Sequence, residues 1–160
     1  MPGMHPHEAL IREFYDAFAR RDAEAMASCY DREVFFSDPV FPGLKGDEAG
    51  DMWRMLLSRA ADLQVTLDSA SANAEGGRAE WTARYTFSKT GRPVVNHVSA
   101  MFAFRNGKIS RHYDRFSFYR WASQALGPMG RALGWFAPLK WKVRKDAAKG
   151  LEKFRERKAS

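Results

Sequence analysis

The stretch from Val94 to Phe118, VVNHVSAMFAFRNGKISRHYDRFSF, constrains this chain more than any other. Two runs rich in β-branched and aromatic residues flank Asn106-Gly107, a pair that strongly favours a tight hairpin turn. Successive strand side chains point to opposite faces. In the first run, Val94, Asn96, Val98, Ala100, Phe102 and Phe104 share a face; Val95, His97, Ser99, Met101 and Ala103 share the other. In the second, Ser110, His112, Asp114, Phe116 and Phe118 form one set, and Ile109, Arg111, Tyr113, Arg115 and Ser117 the other. The turn decides which sets meet. A two-residue loop sets Phe104 opposite Ile109. A three-residue loop, with Gly107 left-handed in a bulge, sets Phe104 opposite Lys108. The second is expected here, with Asp114 opposite Val98 and Asn96 opposite Phe116.

The preceding run, Arg78 to Ser88, alternates cleanly, with Trp81, Ala83, Tyr85 and Phe87 on one face. A turn at Thr90-Gly91 is expected to pair Tyr85 with Asn96 and Trp81 with Ala100. One sheet face then collects Trp81, Tyr85, Phe87, Asn96, Val98, Phe102, His112, Asp114, Phe116 and Phe118. Polar groups at the centre of an apolar face are costly unless paired. Asn96, His112 and Asp114 are therefore either a satisfied structural cluster or the convergent polar groups of a pocket.

Upstream, Leu10, Phe14 and Phe18 recur at four-residue steps and predict a helix from His7 to Arg21. His5 and His7 fall in a start expected to be unstructured. Asp22 is placed to cap a short helix, Ala23 to Cys29. Val34, Phe35 and Phe36 predict a strand from Glu33 to Ser37, and Asp38-Pro39 opens a loop. Trp53, Leu56, Leu57 and Ala60 stripe a third helix, Gly46 to Ala60, whose first turns carry Asp47, Glu48 and Asp51, where the helix dipole favours acids. Gln64 to Ala72 predicts another strand. The order of helix, helix, strand, helix and then four antiparallel strands is an α+β plan.

The formal net charge of +7 is not spread evenly. Residues 119–160 hold 11 of the 26 Lys and Arg against 3 of the 19 acids; residues 1–118 are nearly balanced. The body gives no electrostatic reason to expect a nucleic-acid partner. A single cysteine, Cys29, excludes an internal disulfide framework. No apolar run is long enough to span a membrane, and the first residues do not read as a secretory signal, so a cytoplasmic location is expected. No glycine-rich dinucleotide or phosphate loop is present, so no cofactor is expected. Neither is a metal: His112 and Asp114 share a face, but a site needs three or four ligands.

FYDAFARRDAEAMASCY, VFFSDPVFPGLKG and FAFRNGKISRHYDRF together resemble the nuclear transport factor 2-like superfamily, and within it the SnoaL-like and ketosteroid-isomerase-like proteins. The resemblance covers roughly residues 7–118. It implies a cone: a curved antiparallel sheet with N-terminal helices packed over its concave face (a cystatin-like plan), residues 1–118 forming the domain and 119–160 a basic helical extension. It also implies a pocket for a small hydrophobic molecule; a homodimer is expected as well, and a non-catalytic module that dimerises through the open sheet face is the alternative to a ligand-binding role. Phe14, Phe18, Tyr30, Trp53, Trp81, Tyr85, Asn96, Phe102 and Phe116 are the expected lining. Asp38 falls where the isomerases keep a proton-shuttling carboxylate, whereas Phe14 and Ala100 replace their oxyanion donors, which argues against steroid isomerisation. Asp114, with His112 beside it, falls where SnoaL-like cyclases and limonene-epoxide-hydrolase-like enzymes place an acid/base aspartate. The hydrolases' Arg-x-Asp would be Arg84 and Thr86, so their full set is absent. The resemblance thus implies general acid–base chemistry by Asp114, His112 and Asp38, or binding alone.

The extension holds three of the five tryptophans, Trp121, Trp135 and Trp141. Followed by Lys140, Lys142, Arg144, Lys145 and Lys149, they suit an anionic membrane surface. The alternative is docking of Trp135, Phe136, Leu139, Trp141, Leu151 and Phe154 on the body or on a second subunit. Docking is the expected outcome.

Overall fold

The structure is a computed structural model and describes residues 3–159. Helix α1 spans Pro6–Ala19. The His5 side chain accepts from the His7 N–H at its start, and Pro6, which has no N–H to satisfy, opens the first turn. His7 stacks on Phe104 at 3.9 Å and bonds the Asn73 carbonyl, so both histidines are held rather than unstructured. α1 buries Leu10, Ile11, Phe14, Tyr15, Ala17 and Phe18. Full burial of one such phenylalanine contributes about 1.5–3 kcal/mol. Asp22 caps α2 (Ala23–Ser28) by accepting from the Ala25 N–H. Strand β1 (Tyr30–Ser37), a short β2 (Leu44–Lys45) and α3 (Asp47–Arg59) follow. Then come β3 (Gln64–Ala72), β4 (Gly77–Phe87), β5 (Arg92–Arg105) and β6 (Lys108–Arg115). Helices α4 (Phe118–Ala125), α5 (Pro128–Leu133) and α6 (Ala137–Ala159) complete the described chain.

The six strands form one curved, unclosed sheet in the order β2-β1-β6-β5-β4-β3. β3 to β6 are an antiparallel meander. β1, however, pairs with β6 in parallel, so the sheet is not antiparallel throughout. The two-residue β2 carries too few residues to show a period in sequence.

Two expected registers need correction. Asn106 and Gly107 both have positive φ and form a two-residue turn, with Arg105 opposite Lys108 and Phe104 opposite Ile109. The extra residue sits one step later, at Ser110, because Ala103 pairs with Arg111. The bulge turns Ile109 inward, where it is fully buried, and sets His112 opposite Phe102 and Asp114 opposite Ala100. In the β4–β5 hairpin, Tyr85 faces Val94 and Trp81 faces Val98, two residues from the expected pairing. A shift of two leaves every side chain on its face. Trp81, Asn96, Val98, Phe102, His112 and Asp114 therefore still share the concave side.

Of β5, only Ser99–Arg105 pairs with β6. Gln124 of α4 serves the strand beyond: its amide bonds both the N–H and the C=O of Val95, at 2.8 and 3.0 Å. α5 crosses α4 at Gly130, where a Cβ would run into the Ala122 carbonyl. We expect Gly130→Ala to displace α5 and to cost about 1–3 kcal/mol, the usual range for overpacking, read as a lowered urea midpoint at unchanged slope. α6 lies along α3, with Leu151 buried and Phe154 half-buried. Trp135 and Trp141, expected to dock, do not touch the body closely: they are 75% and 64% exposed.

Candidate active site

Between the concave sheet face and α3, α4 and α6 lies a cavity of about 360 Å³. Of the residues expected to line it, Phe18, Trp53, Trp81, Tyr85, Asn96 and Phe116 do so, together with Asp38 and Asp114. Phe14, Tyr30, Phe102 and His112 do not; they form the layer behind. Phe14 is fully buried against the Tyr30 ring at 5.3 Å, and Phe102 packs on His112 at 4.5 Å. Alternation places Phe102 and His112, and helical spacing Phe14, on the correct face but not at the correct depth. Trp121, Leu126, Val143 and Ala147, from the C-terminal helices, close another side. No strand or helix period announces them, because they reach the cavity only through the path of the chain. Arg59 and Lys89 also reach the wall.

The polar layer forms a continuous hydrogen-bonded line. The Trp53 indole N–H donates to the Tyr30 hydroxyl at 2.8 Å. Tyr30 is 2.9 Å from His112 Nδ1, and His112 Nε2 is 2.9 Å from Asp114 Oδ1. The Trp81 indole N–H lies 3.4 Å from the same carboxylate oxygen. Burial holds the Tyr30 hydroxyl well above the ordinary phenol range, against the Trp53 hydrogen bond, so it keeps its proton. That proton is donated to His112 Nδ1. The imidazole must then carry its own proton on Nε2 and donate it to Asp114. His112 is wholly enclosed by Phe14, Phe36, Trp53 and Phe102. It orients Asp114 without reaching the cavity. Asp114 Oδ2 makes no hydrogen bond among the described residues.

Asp38 lies in the loop after β1. Its Oδ1 accepts the N–H groups of Val40 and Phe41, at 2.7 and 2.6 Å, closing a turn. Arg144 of α6 pins the same loop through the Pro39 carbonyl at 2.8 Å. Burial raises the Asp38 carboxyl to about 7; the charge of Asp114 adds to this, while the two backbone donors and Arg144 oppose it. Tyr15 is also buried, and its hydroxyl has no partner among the described residues. Burial, then the charge on Asp114, raises it well above its usual value. Arg84 is exposed on the outer face and Thr86 bonds Asp62, so neither stands beside Asp114 in the manner of a hydrolase pair. Among the described residues no three His, Cys, Asp or Glu are grouped to hold a metal ion.

A larger recess, about 810 Å³, runs between α6 and the loop before β2. Its polar walls include Glu48, Asp51 and Arg155, which are paired to one another. It is the joint by which α6 docks, its acids Glu48 and Asp51 being taken up by Arg155 and Lys158, whereas Asp38 and Asp114 face the smaller cavity.

A family model described as a SnoaL-like domain matches residues 11–112, more than half of the chain. The chain belongs to the SnoaL-like domain family. The match ends at His112, before Asp114 and the C-terminal helices. No curated protein matches this SnoaL-like protein. Among solved structures, it is similar to an NTF2-like protein of unknown function from Burkholderia pseudomallei, with 23% identity, 71% of this chain and 92% of that one covered, and a TM-score of 0.63. It is similar to an LEH-like epoxide hydrolase from M. tuberculosis, with 16% identity, 82% and 96% covered, and a TM-score of 0.66. It is also similar to a proposed polyketide cyclase from Pseudomonas putida, with 20% identity, 77% and 99% covered, and a TM-score of 0.65. At these identities the likeness establishes the fold alone. No helix among the described residues is long and apolar enough to cross a membrane.

Proposed function

We propose that the cone binds a small apolar, oxygen-bearing molecule and moves a proton on it, with Asp38 and Asp114 as the reacting groups and no cofactor. The observation that carries this reading is a pair of enclosed carboxylates, Asp38 and Asp114, from different elements at one largely apolar cavity; the third carboxylate on its wall, Asp146, is paired with Lys142 nearer the surface. Their environments differ: Asp114 is held by His112 and Trp81, whereas Asp38 is raised to about 7 by burial. Two carboxyl groups kept unequal by their surroundings divide naturally into a proton acceptor and a group that orients or returns the proton. In this reading Asp38 abstracts a proton next to a carbonyl and hands it back at the same or a second carbon, and Asp114 Oδ2 accepts a hydrogen bond or a proton from a substrate hydroxyl. His112 and Tyr30 are positioning residues. Fold neighbours described as a polyketide cyclase and an epoxide hydrolase show that this fold is found in proteins described as enzymes. The exposed Arg84 favours proton transfer over a hydrolase arrangement.

Solvent deuterium exchange at the α-carbon of a panel of apolar cyclic ketones, followed by NMR, tests the reading. Catalysed exchange with at least one member is expected, and the absence of both exchange and binding across the panel would overturn it. A binding-only reading draws on Asp38 Oδ1, whose two backbone bonds already give it a structural task. The pH profile separates the two. A base raised to about 7 is active when ionised, so the exchange rate is expected to climb through neutrality and level off above it. Asp38→Asn is expected to remove that step. The same shift has a signature in stability: the folded state holds the Asp38 proton more tightly than the unfolded chain. Its contribution therefore weakens folding as pH rises from about 4 to about 7.

A further inference from the structure

The corner where α5 meets α6 leaves large apolar side chains in solvent. Trp135 is 75% exposed and Trp141 64%, with Met129, Phe136 and Leu133 at 55%, 43% and 40%. The Trp135 and Phe136 rings lie edge to face at 6.1 Å. Cations surround them in the chain: Arg131, Lys140, Lys142, Lys145 and Lys149. The Lys145 ammonium sits 5.1 Å from the Trp141 ring, and the Lys140 ammonium 5.8 Å from the Phe118 ring. The one acid from residue 119 to 151, Asp146, is paired with Lys142. Tryptophan gains most where one end of the ring meets apolar matter and the other meets water, and lysine stems lie along apolar surface with their charge outward.

We propose that this corner docks on an anionic lipid bilayer. Trp135, Phe136 and Trp141 enter the headgroup region, and the flanking lysines and Arg131 meet lipid phosphates. Only the corner inserts. The far half of α6 is committed to the body through buried Leu151 and the bonds of Arg155 and Lys158 to Asp51. A second copy of the chain is the competing occupant. Two such corners bring like charges together, so charge complementarity selects the anionic surface. Val143 and Ala147, on the same helix as Trp141, line the cavity. Docking therefore brings one cavity wall near the bilayer, where an apolar molecule would reside.

The inference stands apart from the proton-transfer reading and is tested without it. The full chain is co-sedimented with vesicles of phosphatidylcholine alone and of phosphatidylcholine mixed with phosphatidylglycerol. At least tenfold stronger partitioning onto the anionic vesicles is expected, and it should fall as salt is raised. The double variant Trp135→Ser, Trp141→Ser should lose at least tenfold in partitioning while unfolding at the same temperature as the parent. Asp114→Asn should sediment as the parent does, so loss of catalysis and loss of docking are distinguishable. Equal partitioning onto both vesicles, or none onto either, overturns the proposal. So does a solution dimer that the Trp135→Ser, Trp141→Ser variant breaks apart.

Discussion

Asp114→Asn is expected to lower turnover about 100- to 10,000-fold, the usual contribution of a positioned acid–base group. The amide has the shape of the carboxylate. Its oxygen can still accept from His112 Nε2 and from Trp81, so the buried line of hydrogen bonds survives and unfolding should be little changed. What is lost is an atom able to take and release a proton at the cavity wall. Turnover measured beside thermal unfolding checks this; a variant that retains parental turnover removes Asp114 from the chemistry. Tyr30→Phe is the companion experiment. Without the hydroxyl, His112 Nδ1 loses its donor and Trp53 loses its acceptor, both in a buried layer. A cost of about 1–3 kcal/mol follows from the unsatisfied groups. The imidazole then loses one of the two bonds that fix its angle, and Asp114 is held less firmly, so turnover should fall while substrate affinity is kept, a split that a purely structural tyrosine would not cause.

Asp51→Ala is expected to loosen α6 from the body. The Asp51 side chain is 2% exposed and is the meeting point of three cations, Arg54 of α3 and Arg155 and Lys158 of α6, at 2.7–2.9 Å. Burial alone would raise this carboxyl. The bonds from Lys158, Arg155 and Arg54 outweigh it and hold it below the usual range. Removing one partner of a buried ion pair costs about 3–5 kcal/mol when the other charge is stranded. Here the cations are 23%, 40% and 50% exposed and can rehydrate, so about 2 kcal/mol is the better expectation. The sign with pH is fixed by the direction of the shift. A lowered carboxylate contributes stability that is present above its unfolded value, about 3.9, and is lost as pH falls through the folded one. Urea unfolding at neutral and acidic pH should show parent and variant converging as pH drops. Limited proteolysis should cut the variant first within α6. Parallel unfolding curves and unchanged cleavage would mean that the helix is held by Leu151 and Phe154 without the charges.

Local rules account for much of this molecule. The four-residue spacing of Leu10, Phe14 and Phe18 marks the buried face of α1, and Asp22 caps α2 as its position in the chain suggests. Alternation in β4, β5 and β6 places Trp81, Asn96, Val98, His112 and Asp114 on one face. That assignment holds in the observed registers because the strand period is two and each displacement from the expected pairing is even at these positions. The bulge at Ser110 is the one odd step, and it turns Ile109 to the buried face against simple alternation.

What the chain's own pattern determined is therefore parity: which side chains share a face, and that three of them are polar. Depth was decided by the tertiary structure. Tyr30 begins a strand with no pattern linking it to His112, and only the parallel pairing of β1 with β6 brings the two within 2.9 Å. Asp38 reads in sequence as a turn residue; the enclosure of its loop by α6 and the cavity raises its carboxyl to about 7. Trp121 and Val143 become cavity walls because the C-terminal helices fold back over the sheet. Periodicity is a property of neighbouring residues and is written locally. Desolvation and charge coupling depend on what lies across the cavity, and contacts between residues far apart in the chain leave no local period to read.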